Sequence, residues 1–362
     1  MRIEVCQPAN MTSAQIAAWG ELQSNHGDLW SPFFRPEFTL AVAAVRPDVE
    51  VAVLYQDDIP AGFFPYQRGD GNVATPVGGW LSDYQAVIAA ADLQWDPLEL
   101  LRACGLQAWN FTDLVASQSP WAKFHRRQSN SSIWHVAGGL PAHGAQENRA
   151  SKDWFAQHQR KARKASREIG PLRFVPCETE AALPTLMSWK RRQYRETGVL
   201  DRLRPAWVSD LLARVMKSQS AEFSGPLSAL YFGDRIAALH LGLRSRAVLH
   251  YWLPAYDMEL SRYSPGTLLL LEAARVAEES GLRTIDFGPG DEPYKARLTT
   301  ETVAVASGFV DRRPVRRALK AAAWRTRNCV SRSALRGPVR ALVHRLTPLY
   351  DRMVQGAPES TV

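Results

Sequence analysis

One stretch of this sequence, residues 249–277, constrains the fold most, because its pattern predicts a strand, a short turn and a buried helix. The strand is Leu-His-Tyr-Trp-Leu-Pro-Ala-Tyr-Asp, the turn at 262–267 is Arg-Tyr-Ser-Pro-Gly-Thr, and an apolar run follows at 268–277. The first N–H groups of a helix have no intrahelical partner, and this end carries about half a positive charge. The turn therefore predicts either a phosphate-binding site or an ordinary helix cap.

The positive charge of the chain is concentrated near its C-terminal end. The net charge is +8, and residues 312–352 hold twelve Lys and Arg against one acid, Asp351. That segment carries +11, so the rest of the chain carries −3. A protein that binds nucleic acid through its main body has a basic body. The distribution argues against a nucleic-acid partner.

The cysteines and the apolar runs indicate the compartment. The four cysteines, at 6, 104, 177 and 329, are scattered and include no Cys-x-x-Cys pair. This argues against a disulfide framework or a structural zinc site, and we expect no metal. The N-terminus lacks a signal-peptide core, and no apolar run has the roughly 18 residues of a transmembrane helix. We expect a cytoplasmic protein.

The order of predicted elements indicates two domains and a tail, since single cores seldom grow beyond roughly 250 residues. The first domain, 1–145, is predicted to hold a helix capped by Thr12 and Gln15, a hairpin at 49–67, a helix at 98–104 and a strand at 108–114. Residues 141–150 form a polar connector. The second domain, 150–311, opens with a basic helix at 152–169.

The second domain continues with a regular alternation of elements. We predict a strand at 172–175, helices at 180–196 and 205–219, an antiparallel meander at 227–232, 235–243 and 247–253, a helix ending at Gly281, and strands at 284–287 and 303–310. The fold class is therefore α/β (α+β), with mixed, mostly antiparallel sheets flanked by helices. Residues 312–362 are predicted to form a basic amphipathic helical tail.

This order resembles the GNAT acyltransferase fold. The resemblance lies in a few strings: 160–167 with Gly170-Pro-Leu-Arg-Phe174, Ala237-Ala-Leu-His-Leu241, Tyr256-Asp257, Ser264-Pro-Gly-Thr267, and Asp286-Phe287 with Gly290-Asp-Glu-Pro-Tyr-Lys295. The last string is the most specific. The chain is most similar to the two-domain branch of cellulose-biosynthesis acetyltransferases, which is related to Fem-type transferases. The first domain resembles a degenerate second copy, which makes the fold a tandem.

The resemblance implies acetyl-CoA or another acyl-CoA as the donor, bound at the turn. The residues expected to contact it are Trp252, Leu253, Arg262, Ser264, Pro265, Gly266 and Thr267. The backbone N–H groups near Trp252 and Leu253 would polarise the thioester carbonyl. GNAT proteins have Gln/Arg-x-x-Gly-x-Gly/Ala at this turn, whereas this chain has Pro265 within it, which leaves the set of donating N–H groups open.

Acyl transfer needs a base for the acceptor and an acid for the leaving thiolate. The residues expected to supply them are His240, Asp291, Glu292, Tyr294 and Lys295. Tyr294 stands where GNAT proteins place the acid. His240 fits either a general base or a hydrogen-bonded core histidine, and Lys295 either holds an anion or forms an ion pair. The residues expected to line the acceptor site are Asp83, Tyr84, Arg160 and His250.

The sequence leaves the acceptor open. We expect an N- or O-acyltransferase acting on a sugar, a polysaccharide precursor or another envelope-related molecule. Two alternatives stay open: a Fem-type transferase that uses aminoacyl-tRNA, and a non-catalytic accessory protein of exopolysaccharide synthesis. The tail at 312–352 fits contact with an anionic membrane or with a synthase complex, which would place the protein at the inner face of the membrane.

Overall fold

The computed structural model describes residues 1–136, 149–290 and 292–332, and it divides into two compact units. The first unit comprises Met1–Leu29, Val42–Ser129 and the described residues from Ala304 onward, and the second comprises Trp30–Ala41 and the described residues of Asn130–Val303. Each unit is therefore built from separated segments, whereas the sequence predicts contiguous domains at 1–145 and 150–311.

The first unit is an antiparallel meander extended by a parallel strand. Its helices are α1 Ser13–Asn25, α3 Pro97–Ala103 and α9 Pro314–Arg332, and its strands are β1 Arg2–Cys6, β2 Val49–Gln56, β3 Ile59–Gly69, β4 Val73–Thr75, β5 Ile88–Ala89, β6 Ala108–Val115 and β13 Glu301–Asp311. The strand order is β1-β2-β3-β4-β6-β13, and β5 pairs with β3. The core is aromatic, with Trp109, Trp121 and Phe64 buried together.

Strand β4 is short, and another segment of the same unit lies beyond its end. β4 and β6 run parallel and pair only at Val73–Ala108 and Ala74–Trp109. Further along β6, the N–H of Gln85 donates to the carbonyl of Asp113, and β5 pairs with β3. Residues 85–89 therefore fill the space between β3 and β6 that β4 leaves.

The second unit repeats this scheme. It contains α2 Pro36–Ala43, β7 His125–His135, α4 Arg149–Glu168, β8 Leu172–Val175, α5 Leu183–Glu196, α6 Ala206–Lys217, β9 Leu227–Phe232, β10 Arg235–Arg244, β11 Val248–Tyr256, α7 Pro265–Glu279, β12 Thr284–Pro289 and α8 Lys295–Leu298. The strand order is β7-β12-β11-β10-β9-β8, and only the β11–β12 pair is parallel. Helix α7 connects these two strands and buries Leu268, Leu269 and Leu270.

Two strands are exchanged between the two halves of the chain. β7 follows β6 in sequence, yet its residues Ser131–His135 pair with β12 of the second unit. β13 follows β12, yet its residues Val305–Asp311 pair with β6 of the first unit. Each sheet is thus completed by a strand whose sequence neighbour lies in the other unit.

The structure confirms the predicted fold class and most predicted elements. The capping box at Thr12 and Gln15 is present, and the meander is built from β9, β10 and β11, with Gly233 in the turn at a left-handed φ of 60°. Strand β7 was not predicted from the sequence, because its residues are mostly polar. Among the described helices, none is long and apolar enough to cross a membrane.

Candidate functional site

The second unit contains an opening between two parallel strands. β11 and β12 pair at only three positions, from Val248–Thr284 to His250–Asp286. β11 then continues for six residues to Tyr256 and keeps its pairing with β10 on the other side. Backbone groups of β11 on the side towards β12 therefore leave the ladder after His250, which makes them available to a ligand.

A β-bulge lies at this opening. Leu241 pairs with Leu253 and Leu243 pairs with His250, so Tyr251 and Trp252 lie opposite the single residue Gly242. The extra residue of a bulge is left out of the ladder of hydrogen bonds, and the bulge changes the direction of the neighbouring side chains. A Cβ at position 242 would lie 2.9 Å from Cε1 of His240, so only glycine fits here without movement.

The predicted turn begins α7 as the sequence indicates. Ser264 has a left-handed backbone, with φ 55° and ψ 52°, and Pro265 is the first helical residue. The N–H groups of Thr267 and Leu268 both donate to the carbonyl of Ser264 at 3.1 Å. Because Pro265 has no N–H, Gly266 supplies the first N–H of the helix.

A lysine from α4 adds positive charge to this turn. Nζ of Lys161 donates to Oγ of Ser264 at 2.7 Å. The side chain of Arg262 is exposed, lies over the ring of Tyr263 and approaches Glu168 at 3.4 Å. Arg160, the residue predicted from α4, is exposed. The turn thus combines a helix start with two cations, an arrangement that suits an anion.

Gly266 also has a packing reason to be glycine. A Cβ there would lie 3.2 Å from Cδ1 of Tyr256, the last residue of β11. The close approach of helix and strand therefore requires a small residue independently of any ligand. Gly266 alone cannot distinguish a phosphate site from a tightly packed cap, and the cation at Lys161 favours the phosphate site.

His240 lies deep in the core. Its exposed fraction is 1%, its ring stacks on Tyr251 with centroids 3.9 Å apart, and its Nδ1 lies 3.3 Å from Oγ of Ser228. Burial, with a smaller contribution from the neighbouring His250, lowers the pKa of His240 to about 3. The imidazole is therefore neutral and a weak proton acceptor, which favours the core role over the general base.

His250 is fully buried next to a buried carboxylate. Its Nδ1 lies 3.3 Å from Oδ2 of Asp286, and neither side chain is exposed. Asp286 also accepts hydrogen bonds from Nε1 of Trp30 at 3.0 Å and from the N–H of Gly288 at 2.8 Å. This network fixes the point where β12 leaves β11. His250 therefore supports the opening between β11 and β12 as part of this network. Because its side chain is fully buried, it is not exposed to an acceptor substrate.

The two other predicted strand residues are also buried. Trp252 packs edge-on against Phe33 and Phe38, with centroids 5.9 and 6.4 Å away. Leu253 is 5% exposed. Their side chains belong to the core, so a ligand at the opening would meet the backbone of this bulge.

The loop after β12 holds a buried lysine. Nζ of Lys295 donates to the carbonyls of Gly288 and Pro289 at 3.3 and 3.0 Å and lies 2.8 Å from Glu292. The Lys295 ammonium thus holds together residues of the same loop. About half of the Glu292 side chain remains exposed. Asp291 lies outside the described residues.

Tyr294 stands beside this loop, at the start of α8. Its half-buried ring packs edge-on against Phe287 with centroids 5.6 Å apart. Phe287 in turn contacts Tyr251 at 6.4 Å. His240 of β10 stacks on Tyr251 and joins the same group of rings. We call this group the aromatic cluster; it consists of His240, Tyr251, Phe287 and Tyr294.

Asp83 and Tyr84 lie in the first unit. Tyr84 is 2% exposed, and Asp83 is half-buried. Burial, with a smaller contribution from the charge of Asp83, raises the pKa of Asp113 to about 6. Asp113 also has a left-handed φ of 55°, which is uncommon for a non-glycine residue. The sequence alone did not indicate Asp113 or the roles of Lys161, Tyr251 and Asp286.

The comparisons with known proteins agree with this geometry. Residues 155–296 match the model of the acetyltransferase (GNAT) domain family, a range that contains β11, the turn, α7 and β12. This part of the chain is similar to GNAT acetyltransferase domains, and the protein is an enzyme of the acyltransferase class. No curated protein matches the sequence. The likeness to the cellulose-biosynthesis branch stays a prediction.

Solved structures share the fold at low sequence identity. FemX aligns with a TM-score of 0.60 at 9% identity, over 88% of this chain and 100% of that one. The C-terminal domain of a putative lysylphosphatidylglycerol synthetase from Agrobacterium fabrum aligns with a TM-score of 0.51 at 12% identity, over 84% and 93%. In the described part of the chain, no group of three His, Cys, Asp or Glu could hold a metal.

Proposed function

We propose that this enzyme transfers an acyl group from acyl-CoA, with acetyl-CoA as the first candidate, to an amine or hydroxyl of an acceptor. The observation that carries this proposal is the short pairing of β11 with β12, limited to three residue pairs, together with the cationic helix start that comes after β11. A pantetheine chain needs a slot with free backbone groups, and a pyrophosphate needs N–H groups and positive charge. The second unit offers both next to each other in sequence.

The donor is held by few groups in this proposal. The N–H of Gly266, Lys161 and the exposed Arg262 would contact the phosphates, together with the hydroxyl of Ser264. Thr267 contributes less than the sequence suggests, since its N–H already bonds to Ser264. Pro265 orients the helix start without donating.

We assign the two proton transfers, from the acceptor and to the departing thiolate, to side chains in the loop after β12. Tyr294 is the proposed acid for the departing thiolate, because it is half-buried at the aromatic cluster and lies in the loop directly after β12. Glu292 is the proposed base, because it is a carboxylate with half of its side chain exposed. Lys295 holds the loop in place. Asp291 stays a prediction.

The binding test compares two charge reversals on α4. We expect acetyl-CoA to bind the full chain, and Lys161→Glu to weaken binding at least about tenfold, because it removes the cation at the turn and adds a like charge. Lys152→Glu is the matched control: it makes the same charge change about 13 Å along the same helix. Calorimetry gives both affinities.

Either of two results would contradict the donor site. If acetyl-CoA, longer acyl-CoA and free coenzyme A all fail to bind the wild type, the proposed donor is wrong. If Lys152→Glu weakens binding as much as Lys161→Glu, the effect reflects the general field of α4 and the turn is not the phosphate site.

A Fem-type transferase using aminoacyl-tRNA is the second candidate. It is supported by the fold shared with FemX over the whole of that chain and by the exposed basic side chains of α4, which include Arg160 and Lys164. Pro265 also favours it, because it removes one N–H from the turn. The distinguishing measurement is binding of charged tRNA and acetyl-CoA to the same preparation. Binding of tRNA alone would favour this second candidate.

The acceptor proposal rests on the family resemblance. We propose a sugar, a polysaccharide precursor or another envelope-related molecule, modified in the cytoplasm at the inner face of the membrane. A screen of thiol release from acetyl-CoA with amino sugars and nucleotide sugars would test it. An accessory role in exopolysaccharide synthesis would be favoured by donor binding without turnover on any of them.

We propose that the basic tail contacts anionic lipid. The start of α9 exposes Val315 and Leu319, with exposed fractions of 70% and 66%, next to Arg316 and Arg317. Exposed apolar side chains flanked by arginines bind the interface of an anionic bilayer. The rest of the predicted tail, 333–362, lies outside the described residues.

Sedimentation with vesicles tests this contact. We expect the full chain to sediment with vesicles containing phosphatidylglycerol and to remain in solution with neutral ones. The double change Val315→Glu and Leu319→Glu should reduce sedimentation several-fold, because it removes the apolar contact and reverses local charge. Equal sedimentation of both proteins would contradict a lipid contact through Val315 and Leu319.

A further inference from the structure

The hydroxyl of Tyr251 has no hydrogen-bond partner within the described part of the chain, although the residue is 4% exposed. Nε2 of His240, whose ring stacks on Tyr251, also lacks one there. Buried polar atoms are nearly always paired, because leaving one unpaired destabilises the folded state. Two such atoms on stacked rings therefore point to a polar ligand that pairs with them.

Tyr251 lies where a ligand would enter. It is the first residue of β11 after the last pair with β12, and it belongs to the bulge opposite Gly242. Its ring is held between two strands, since it stacks on His240 of β10 and meets Phe287 of β12 edge-on. The phenol is therefore fixed in direction at the opening between the strands.

The phenol is suited to donate a hydrogen bond and not to lose its proton. Burial raises the pKa of Tyr251 well above its ordinary value, and the neighbouring Tyr294 raises it further. A protonated phenol needs an acceptor oxygen. Within an apolar slot of a thioester-using enzyme, the acceptor that every donor carries is the carbonyl oxygen of the acyl group.

We propose that the hydroxyl of Tyr251 donates a hydrogen bond to the carbonyl oxygen of the bound acyl thioester. The inference rests on the proposed acyl-CoA donor and adds a catalytic residue to it. The role is separate from that of Tyr294, which protonates the leaving thiolate.

The reaction balances with Tyr251 keeping its proton throughout. The nucleophilic nitrogen or oxygen of the acceptor bonds to the carbonyl carbon, and the π electron pair moves to the carbonyl oxygen, where Tyr251 holds the developing charge. The pair then returns, the carbon–sulfur bond breaks, and sulfur leaves as thiolate. The acceptor loses one proton to the base, and the thiolate gains one from the acid.

Tyr251→Phe is the variant that tests the proposal. Bound acetyl-CoA labelled with ¹³C at the carbonyl should show a lowered C=O stretching frequency in the wild type, and the lowering should diminish in Tyr251→Phe. Thiol release from acetyl-CoA, with water as the acceptor, should slow about 100-fold, the usual effect of removing one donor to a developing oxyanion. The affinity for acetyl-CoA should change less than about threefold, because the ring remains.

Stability separates this role from a structural one. Because the hydroxyl is unpaired within the described part of the fold, Tyr251→Phe should leave the melting temperature unchanged or raise it. Tyr66→Phe is the matched control: that buried hydroxyl donates to Glu50 at 2.6 Å, so its loss should lower the melting temperature and leave thiol release unchanged.

The outcomes distinguish this inference from the proposed function. If acetyl-CoA binds and both the C=O frequency and the rate are the same in wild type and Tyr251→Phe, the role of Tyr251 is wrong and the donor proposal stands. If acetyl-CoA, longer acyl-CoA and free coenzyme A all fail to bind the wild type, both are wrong. A lowered melting temperature with a parallel loss of affinity would assign Tyr251 a packing role and overturn the inference.

Discussion

His240 shows how burial decides the chemistry of a residue. The sequence places a histidine on a strand, which suits both a core histidine and a base with a pKa near working pH. In the structure the ring is enclosed between Ser228 and Tyr251 and is neutral. The environment, which no local pattern reveals, favours the core role.

This burial predicts a pH dependence of stability. The pKa of His240 is about 3 in the fold and near 6.5 in the unfolded chain. Between these values the unfolded chain binds more protons, so this histidine destabilises the fold as the pH falls below about 6.5 and has no such effect above it. His240→Gln should therefore lose less stability than the wild type between about pH 7.5 and about pH 5, by up to about 2 kcal/mol.

Urea unfolding of both proteins at the two pH values measures this difference. Two other histidines with lowered pKa, His125 and His158, are present in both proteins, so their contribution cancels. An identical loss in the wild type and in His240→Gln would show that His240 takes up its proton in the fold as readily as in the unfolded chain.

The turn residues of the site could be predicted from the sequence, whereas its long-range contacts could not. Ser264, Pro265 and Gly266 form a local signal, because Pro and Gly at a helix start have fixed backbone requirements. Lys161 and Ser264, which are hydrogen-bonded, are 103 residues apart in sequence, and the hydrogen-bonded Trp30 and Asp286 are 256 residues apart. The unpaired hydroxyl of Tyr251 is the extreme case, since a missing partner leaves no trace in sequence.

At the scale of elements, the two units differ beyond the end of their parallel strand pair. In the second unit β11 runs on past the pairing and leaves an opening, whereas in the first unit β4 ends at Thr75 and residues 85–89 occupy the space between β3 and β6. A donor that needs free backbone groups between the strands fits only the second unit's arrangement.

Because residues 85–89 fill the space between β3 and β6 in the first unit, we predict one donor site per chain. We expect calorimetric titration with acetyl-CoA to give a single class of sites with a stoichiometry near one, because residues 85–89 already use the backbone groups of β3 and β6. Lys161→Glu supplies the control, since it should weaken the only binding event. A second event that this variant leaves intact would place a donor site in the first unit.

Elements with strong local signals were predictable, and those defined by distant partners were not. The β9–β10 hairpin is predicted by Gly233 and Asp234 between two apolar runs. β7, with the sequence His-Arg-Arg-Gln-Ser-Asn-Ser-Ser-Ile-Trp-His, is mostly polar and finds its partner about 150 residues later in β12. Its role as a strand is decided by pairing and not by composition.

At the scale of the molecule, the segments that form one compact unit are not contiguous in sequence. The family match at 155–296 contains the turn, α7 and β12, but neither β7 nor residues 30–41, which supply Trp30 and Phe33 to the second unit. A sequence-based domain boundary follows the chain, whereas the core follows contacts. This is why the predicted ranges and the compact units differ.

The exchanged strands have a consequence for a chain cut between β7 and α4. The N-terminal piece would keep β7, whose partner β12 lies in the other piece, and the C-terminal piece would keep β13, whose partner β6 lies in the first. Each piece alone exposes an open sheet edge, which favours aggregation. When the two pieces are mixed, each supplies the strand that the other lacks. We therefore expect activity to require both pieces together.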